Sequence, residues 1–237
     1  MITFKQFLSE AEKRDLVEFL RGNCRQACED IVAAKNRFFY RGISNVSSNR
    51  DRVVWMHEDQ PLVGVMRYVR KDRVARDTPE WAHEEINKFI DKKFGVRLRS
   101  EGLFVFNRES SADGYGTPHI ILPIGQYSCY WAEHVSDLTM LLFPDMDAGE
   151  DSGLAGGEVH WRHEIGKTEA FSRLEVSREM EKDYIQQALE AHTWQKGSAV
   201  DALKADAEII IVCNRYIGVH YSHEDALLEA IHEALSE

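Results

Sequence analysis

Arg37-Phe38-Phe39-Tyr40-Arg41-Gly42 reads as an aromatic strand ended by a glycine, and it is the first of three separated segments whose order decides the fold. The second is Gly102-Leu103-Phe104-Val105-Phe106 running into Ser110-Ser111-Ala112-Asp113-Gly114-Tyr115-Gly116. The third is Asp206-Ala207-Glu208 opening the β-branched run Ile209-Ile210-Ile211-Val212. Each pattern is common by itself. Their succession along one chain carries the reading.

Outward from these segments, helical and strand periodicities alternate irregularly. Thr3-x-x-Gln6 and Ser9-x-x-Glu12 are capping boxes, and apolar residues at helical spacing (Phe4, Phe7, Leu8, Ala11, then Leu16, Phe19, Leu20) predict that the chain opens with helices. A further helix over about 24–34 presents Ala27, Cys28, Ile31 and Ala34 on one side. Val53-Val54-Trp55-Met56 predicts a strand, followed by a polar stretch with Arg67, Arg70, Arg73 and Arg76 at three-residue intervals. Thr78-Pro79-Glu80 is a strong helix start, and that helix carries Trp81, Ile86, Phe89 and Ile90 inward until Gly95. Strands are predicted over 96–99, 103–106 and 119–122, the last closed by Pro123 and Gly125. The acidic segment over 145–153 reads as an exposed loop. Ser177 caps a helix burying Met180, Tyr184, Ile185, Ala188 and Leu189, and strands over 208–213 and 216–221 precede a terminal helix from Ser222. Helices first, then mostly strands with helices inserted, make the expected class α+β.

The 237 residues form one expected domain, 1–237, with a helical segment over about 1–35, because no Pro-, Ser- or Gly-rich tract is long enough to be a linker. A net charge of −11 argues against an all-over basic surface that would hold nucleic acid through its phosphates. The N-terminus, Met1-Ile2-Thr3-Phe4-Lys5-Gln6, has no basic region before an apolar one, and no run reaches bilayer length, so the expectation is a soluble cytoplasmic protein with no membrane partner. Four scattered cysteines, Cys24, Cys28, Cys129 and Cys213, form no disulfide framework; Cys24 and Cys28, one helical turn apart, are expected to be ordinary buried thiols.

The three segments together read as a nicotinamide-dinucleotide site. Cleaving the bond between nicotinamide and ribose needs little acid–base work, since nicotinamide leaves as a neutral molecule; the difficult species is the oxocarbenium-like ribosyl cation. A fixed carboxylate stabilises that cation, arginine pins the pyrophosphate, and an aromatic ring covers the nicotinamide. Glu208, ahead of a rigid apolar strand, is the candidate carboxylate. Arg41 is the candidate phosphate or ribose clamp, Gly42 lets a ligand approach the main chain, and Tyr115 is the candidate ring cover.

At these residues the chain resembles the ADP-ribosyltransferase superfamily, whose domains carry an Arg or His on a first strand, a serine in a second motif and a catalytic Glu on a later strand. Phe39-Tyr40-Arg41-Gly42 is similar to the first motif of the arginine-type branch. The stretch from Gly102 through Ser111-Ala112 to Tyr115-Gly116 is similar to the second, and Asp206-Ala207-Glu208 to the third. The resemblance implies a split β-sheet core, NAD as substrate, Glu208 as catalytic acid, and Asp206 as a chooser of basic acceptors. It implies NAD contacts from Arg41, Gly42, Phe104, Tyr115 and one of two serines, Ser100 or Ser111, because no Ser-Thr-Ser triplet is present. The expected acceptor is a protein or nucleic acid of a host cell, the short acidic chain being similar to small phage- or plasmid-borne proteins. The alternative expectation is a catalytically inactive binding, virion or inhibitor protein of the same fold.

Other patterns point elsewhere only weakly. The four spaced arginines read as a solvated face, with phosphate or nucleic-acid contact as the functional alternative. His160 and His163 with His134 and Asp137 have no known metal-ligand spacing. No Gly-x-Ser-x-Gly elbow, phosphate loop or Gly-x-Gly-x-x-Gly turn is present.

Overall fold

The computed structural model describes residues 13–44, 51–74, 80–133, 135, 175–205 and 207–236. These group into two compact units, one drawn from the described parts of 1–70, 102–134 and 194–237, the other from 71–101 and 135–193. Helices and strands are mixed, with two largely antiparallel sheets, which agrees with the α+β expectation.

The first unit is built on strands β1 (Lys13–Asp15), β2 (Phe39–Ile43), β3 (Arg52–His57), β4 (Gln60–Tyr68), β5 (Leu103–Val105), β6 (Thr117–Ile124), β7 (Ser128–Ala132), β8 (Trp194–Gly197), β9 (Ile209–Val212) and β10 (Arg215–His220). The six-stranded sheet runs β1-β3-β4-β10-β6-β2, and the four-stranded sheet β5-β9-β7-β8. All pairs are antiparallel except the short β1 with β3.

Alternation along the strands gives the larger sheet two buried faces. On one, Tyr40, Ile120, Leu122, Ile217 and Val219 join Leu16, Leu20, Cys28, Ile31, Leu227 and Ile231 from helices α1 (Leu16–Asn23), α2 (Arg25–Ala33) and α8 (Glu224–Leu235). On the other, Phe39, Ile43, Val65, Ile121 and Tyr216 join Leu103, Val105, Trp131, Ile209 and Ile211 of the smaller sheet, with Ala199, Ala202 and Leu203 of the short helix α7 (Ala199–Lys204). Each fully buried Ile or Leu there contributes about 1.5–3 kcal/mol of transfer free energy. The helices are amphipathic with the expected stripes inward. α1 starts at Asp15, whose carboxylate accepts the Glu18 amide at 2.9 Å. The capping boxes proposed over 3–12 lie outside the described residues.

α2 closes in a Schellman turn: the Lys35 amide donates to the Val32 carbonyl and the Asn36 amide to the Ile31 carbonyl. Lys35 and Asn36 have φ of 60° and 61°, the left-handed conformation that a glycine adopts with less strain.

Several sequence expectations change. β2 does not end at Gly42 but continues to Ile43, and β6 runs through Pro123 to Ile124. The stretch after Trp55 is a hairpin: β3 and β4 close at His57 and Gln60, with Glu58 at φ 50° where glycine or asparagine is the usual signal. Arg67 is therefore a strand residue. The strand expected over 96–99 is the short helix α4 (Leu98–Glu101). It forms because the Asn87 side-chain oxygen accepts the Arg99 amide at 3.0 Å, while the Arg97 carbonyl accepts from Ser100 and Glu101.

In the second unit, helix α3 (Glu80–Phe94) and α4 are joined by α6 (Glu175–Glu190); the remaining helix of the first unit is α5 (Glu109–Asp113). α3 stops where Gly95 takes φ 71°. Ile86, Ile90, Ile185 and Leu189 are buried as the helical spacing predicts. The loop over 145–153 and the paired histidines His160 and His163 lie outside the described residues, as does His134.

Gly42 sits where a β-carbon would lie 2.3 Å from the Ala112 carbonyl oxygen, 2.6 Å from the Tyr115 carbonyl carbon and 2.7 Å from the Gly116 nitrogen. Those are backbone atoms that no rotamer change relieves. Gly42→Ala is expected to destabilise the fold by about 3 kcal/mol in urea melts. Gly22→Ala, in α1 with nothing within 4 Å of the new methyl, is expected to stabilise by up to about 1 kcal/mol.

Candidate functional site

Strand register places a polar row on the face of the larger sheet that meets the smaller one. Arg41 of β2 lies opposite His119 of β6, and His119 opposite His220 of β10. The three side chains share a face with the apolar Phe39, Ile43 and Ile121, so a cation and two imidazoles stand at one end of an otherwise apolar gap.

Arg41 is held by its surroundings. Its Nη1 donates to the Phe104 carbonyl on β5 at 2.5 Å, which orients the planar guanidinium toward the smaller sheet. Burial pushes its pKa below the ordinary arginine value, Tyr216 and Glu208 act the other way, and Arg67 adds to the depression. An arginine keeps its charge through such a shift, so a half-buried cation stands at this point. Glu208 is half-buried immediately before β9, whose Ile209 pairs with Val105 and with Trp131.

The histidine tautomers follow from their partners. His119, 3 % exposed, has Nδ1 2.8 Å from the Thr117 carbonyl, which only accepts, so the proton is on Nδ1 and Nε2 is bare. Burial lowers its pKa, the Thr117 bond opposes that, and His220 and Arg67 lower it further. His220 is reversed: its Nδ1 accepts the Ser222 amide at 3.2 Å and the Ser222 hydroxyl at 2.7 Å, leaving the proton on Nε2. The two rings meet edge to face with centroids 5.6 Å apart. Tyr221 packs on His220 at 4.9 Å and His223 at 6.3 Å. Among the described residues no group of three His, Cys, Asp or Glu side chains has metal-binding geometry.

The remaining candidates divide. Tyr115 follows α5 and precedes β6, at the same end of the larger sheet as Tyr221, which follows β10. Its ring stacks on Phe106 at 5.4 Å and 20° and is still 52 % exposed. Ser111 is exposed on α5, whereas Phe104 is half-buried and supplies the carbonyl to Arg41. The space at Gly42 that the sequence reading left for a ligand is filled by the chain's own backbone at Ala112, Tyr115 and Gly116. Ser100 belongs to the second unit, where its buried hydroxyl receives Asn87 Nδ2 at 2.9 Å and contacts His83 Nε2 at 3.1 Å. Asp206 lies outside the described residues.

His119 and His220 escaped the sequence reading, since each stands in an ordinary strand and only register brings them beside Arg41. Alternation offered one signal, a histidine at an inward position of a strand otherwise apolar on that face. All four cysteines are buried, and none is disulfide-bonded. Burial raises each thiol pKa, to about 12 for Cys28, helped by Glu29, and to about 12 for Cys213.

No protein-family model, curated protein or solved structure matches this chain.

Two predictions follow from these groups. His83, His119 and His223 all have lowered pKa values with burial as the main cause. A depressed histidine pKa means the unfolded chain binds more protons, so this stability is present above the ordinary value near 6.5 and is lost as pH falls toward the folded values. The melting temperature should therefore drop between pH 7.5 and pH 5.5, less steeply in His119→Asn, which keeps a donor for the Thr117 carbonyl. A pH-independent melting temperature over that span would contradict the assignment. In a thiol-reagent assay the native protein should show no fast-reacting cysteine and the denatured chain four.

Proposed function

We propose that this chain is an NAD-dependent mono-ADP-ribosyltransferase that cleaves the nicotinamide–ribose bond and passes ADP-ribose to a protein or nucleic-acid acceptor. The observation that supports the reading is the half-buried Arg41, oriented by the Phe104 carbonyl, with Glu208 among the charges that act on it.

In this reading Arg41 binds the pyrophosphate or ribose oxygens, and Glu208 stabilises the ribosyl cation as the bond to nicotinamide lengthens. The ring nitrogen takes the bonding pair and nicotinamide leaves neutral; the acceptor's nucleophile then bonds to the ribose carbon and loses its proton. Low local dielectric strengthens the carboxylate's effect on a cation formed only in the transition state. His119 with a bare Nε2 and His220 with a protonated one offer an acceptor and a donor, the complement of a carboxamide or a ribose diol. Tyr115 and Tyr221 supply exposed rings at that end of the sheet. Asp206 retains its proposed part in choosing a basic acceptor.

The second reading, a catalytically inactive binding, virion or inhibitor protein of the same fold, draws on one observation. The space over Gly42 that was read as a ligand approach is filled by the chain's own backbone, and the Tyr115 ring stacks on Phe106.

Purified protein incubated with labelled NAD, with and without cell lysate, separates the two. The enzyme reading expects nicotinamide release and label transfer, a fall of about 10²-fold or more in turnover for Glu208→Gln, and NAD affinity kept within a few-fold. Arg41→Lys, which loses the planar fork, is expected to weaken NAD binding itself. Turnover unchanged in Glu208→Gln would remove the catalytic assignment, and no release under any condition would favour the inactive protein.

A further inference from the structure

A cavity of about 480 Å³ opens on the first unit, at the start of β2, and shares none of its lining with the Arg41 site. Its buried floor is Phe38 and Tyr40, 1 % and 9 % exposed, whose rings meet edge to face at 6.4 Å. Tyr40 points to the sheet face opposite Arg41, whereas Lys204 and the Arg37 anchor belong to α7 on the Arg41 face, so the cavity lies at the start of β2 and Arg41 further along the strand. The exposed rim carries three cations, Arg37, Arg108 and Lys204, with the amides of Asn36 and Asn107.

Two features set this cavity apart from an ordinary surface hollow. The chain has 40 acidic and 29 basic residues, yet every charged residue lining the cavity is a cation. Its walls are also tied together. Arg37 Nη1 donates to the Leu203 carbonyl at 3.3 Å, and Asn107 Nδ2 donates to the Ala205 carbonyl, so both residues are fastened to the end of α7 from which Lys204 projects. Asn36 is held in the left-handed conformation by the Schellman turn that closes α2. The nearby acids act at the other end: Glu224 accepts the Tyr40 hydroxyl at 2.8 Å, and burial first, then Glu224 and Glu109, raise its pKa. An anion is thus favoured at the Arg37–Arg108–Lys204 end and disfavoured at the Tyr40 hydroxyl.

We infer that this cavity binds a phosphate-bearing small molecule of nucleotide size. Its volume falls in the range of small-ligand sites, two guanidinium forks and an ammonium match phosphate oxygens, and the asparagine amides can pair with a sugar or base. This site is separate from the proposed NAD chemistry and does not depend on it.

Calorimetric titration of the full chain with adenosine 5′-monophosphate tests the inference. One saturable site is expected, weakened at least tenfold in the double variant Arg108→Glu, Lys204→Glu and unchanged in Glu208→Gln. Adenosine without phosphate should bind at least tenfold more weakly. Both substituted side chains are exposed, and the pair Arg108→Gln, Lys204→Gln repeats the test with less change of charge. Absence of binding to the wild type would overturn the inference, as would equal affinity for adenosine. Binding lost in Arg41→Ala but kept in the double variant would place the nucleotide in the gap between the sheets and equally overturn it. A single-stranded oligonucleotide binding more than a hundredfold tighter than the mononucleotide would replace the small ligand with a nucleic acid.

Discussion

Tyr40 and Phe106 exchange backbone hydrogen bonds, the Tyr40 amide to the Phe106 carbonyl at 2.7 Å and the Phe106 amide to the Tyr40 carbonyl at 2.8 Å. This reciprocal pair makes β2 the junction of the first unit. One edge of the strand is satisfied by β6 in the larger sheet, and the other by the residue that follows β5 of the smaller one. Buried backbone groups must be paired, so the pairing fixes where the two sheets approach. Arg41, the next residue, then has the Phe104 carbonyl within reach. Moving the register by one residue would turn Arg41 toward the α1–α2–α8 layer and Tyr40 into the gap.

Two glycines make the junction possible from the other side. Gly42 admits the backbone of Ala112, Tyr115 and Gly116, while a β-carbon on Gly116, at φ 129°, would lie 2.7 Å from the Ser44 nitrogen. The turn after α5 therefore rests directly on β2, and Tyr115 is carried to the end of the sheet where the Arg41–His119–His220 row stands. The glycine that sequence reasoning assigned to a ligand serves the chain's own close packing. The chemistry is the same, absence of a side chain at a point of close approach, with a different occupant.

The start and the middle of β2 have unlike electrostatics. In the middle of the strand, the half-buried Arg41 stands among apolar residues beside His119, an arrangement in which its charge is strengthened by a low dielectric. At its start, Arg37, Arg108 and Lys204 collect on an exposed rim over aromatic rings, where charge is screened and costs little to gather. One short aromatic strand thus carries a half-buried polar site along its length and a surface basic one at its start, where Phe38 and Tyr40 form the floor.

The sequence by itself determined the elements whose periodicity is local: the amphipathic helices at Leu16, Arg25 and Glu224, the Ile209–Val212 strand, the glycine stop at Gly95, and the α+β class. It also singled out Arg41 and Phe104, which share a hydrogen bond. Local pattern failed where a partner distant in sequence supplied the constraint. The Gln60–Tyr68 strand is hidden by a hairpin turn at Glu58 that lacks glycine, and the helix at Leu98 exists because Asn87 on another helix offers its amide oxygen. Tertiary structure alone decided that His119 and His220 stand beside Arg41, that Gly42 is covered by backbone, and that Ser100 is bound by His83 and Asn87. Periodicity is a property of neighbours along the chain, whereas register, close approach and burial are set by which strands pair.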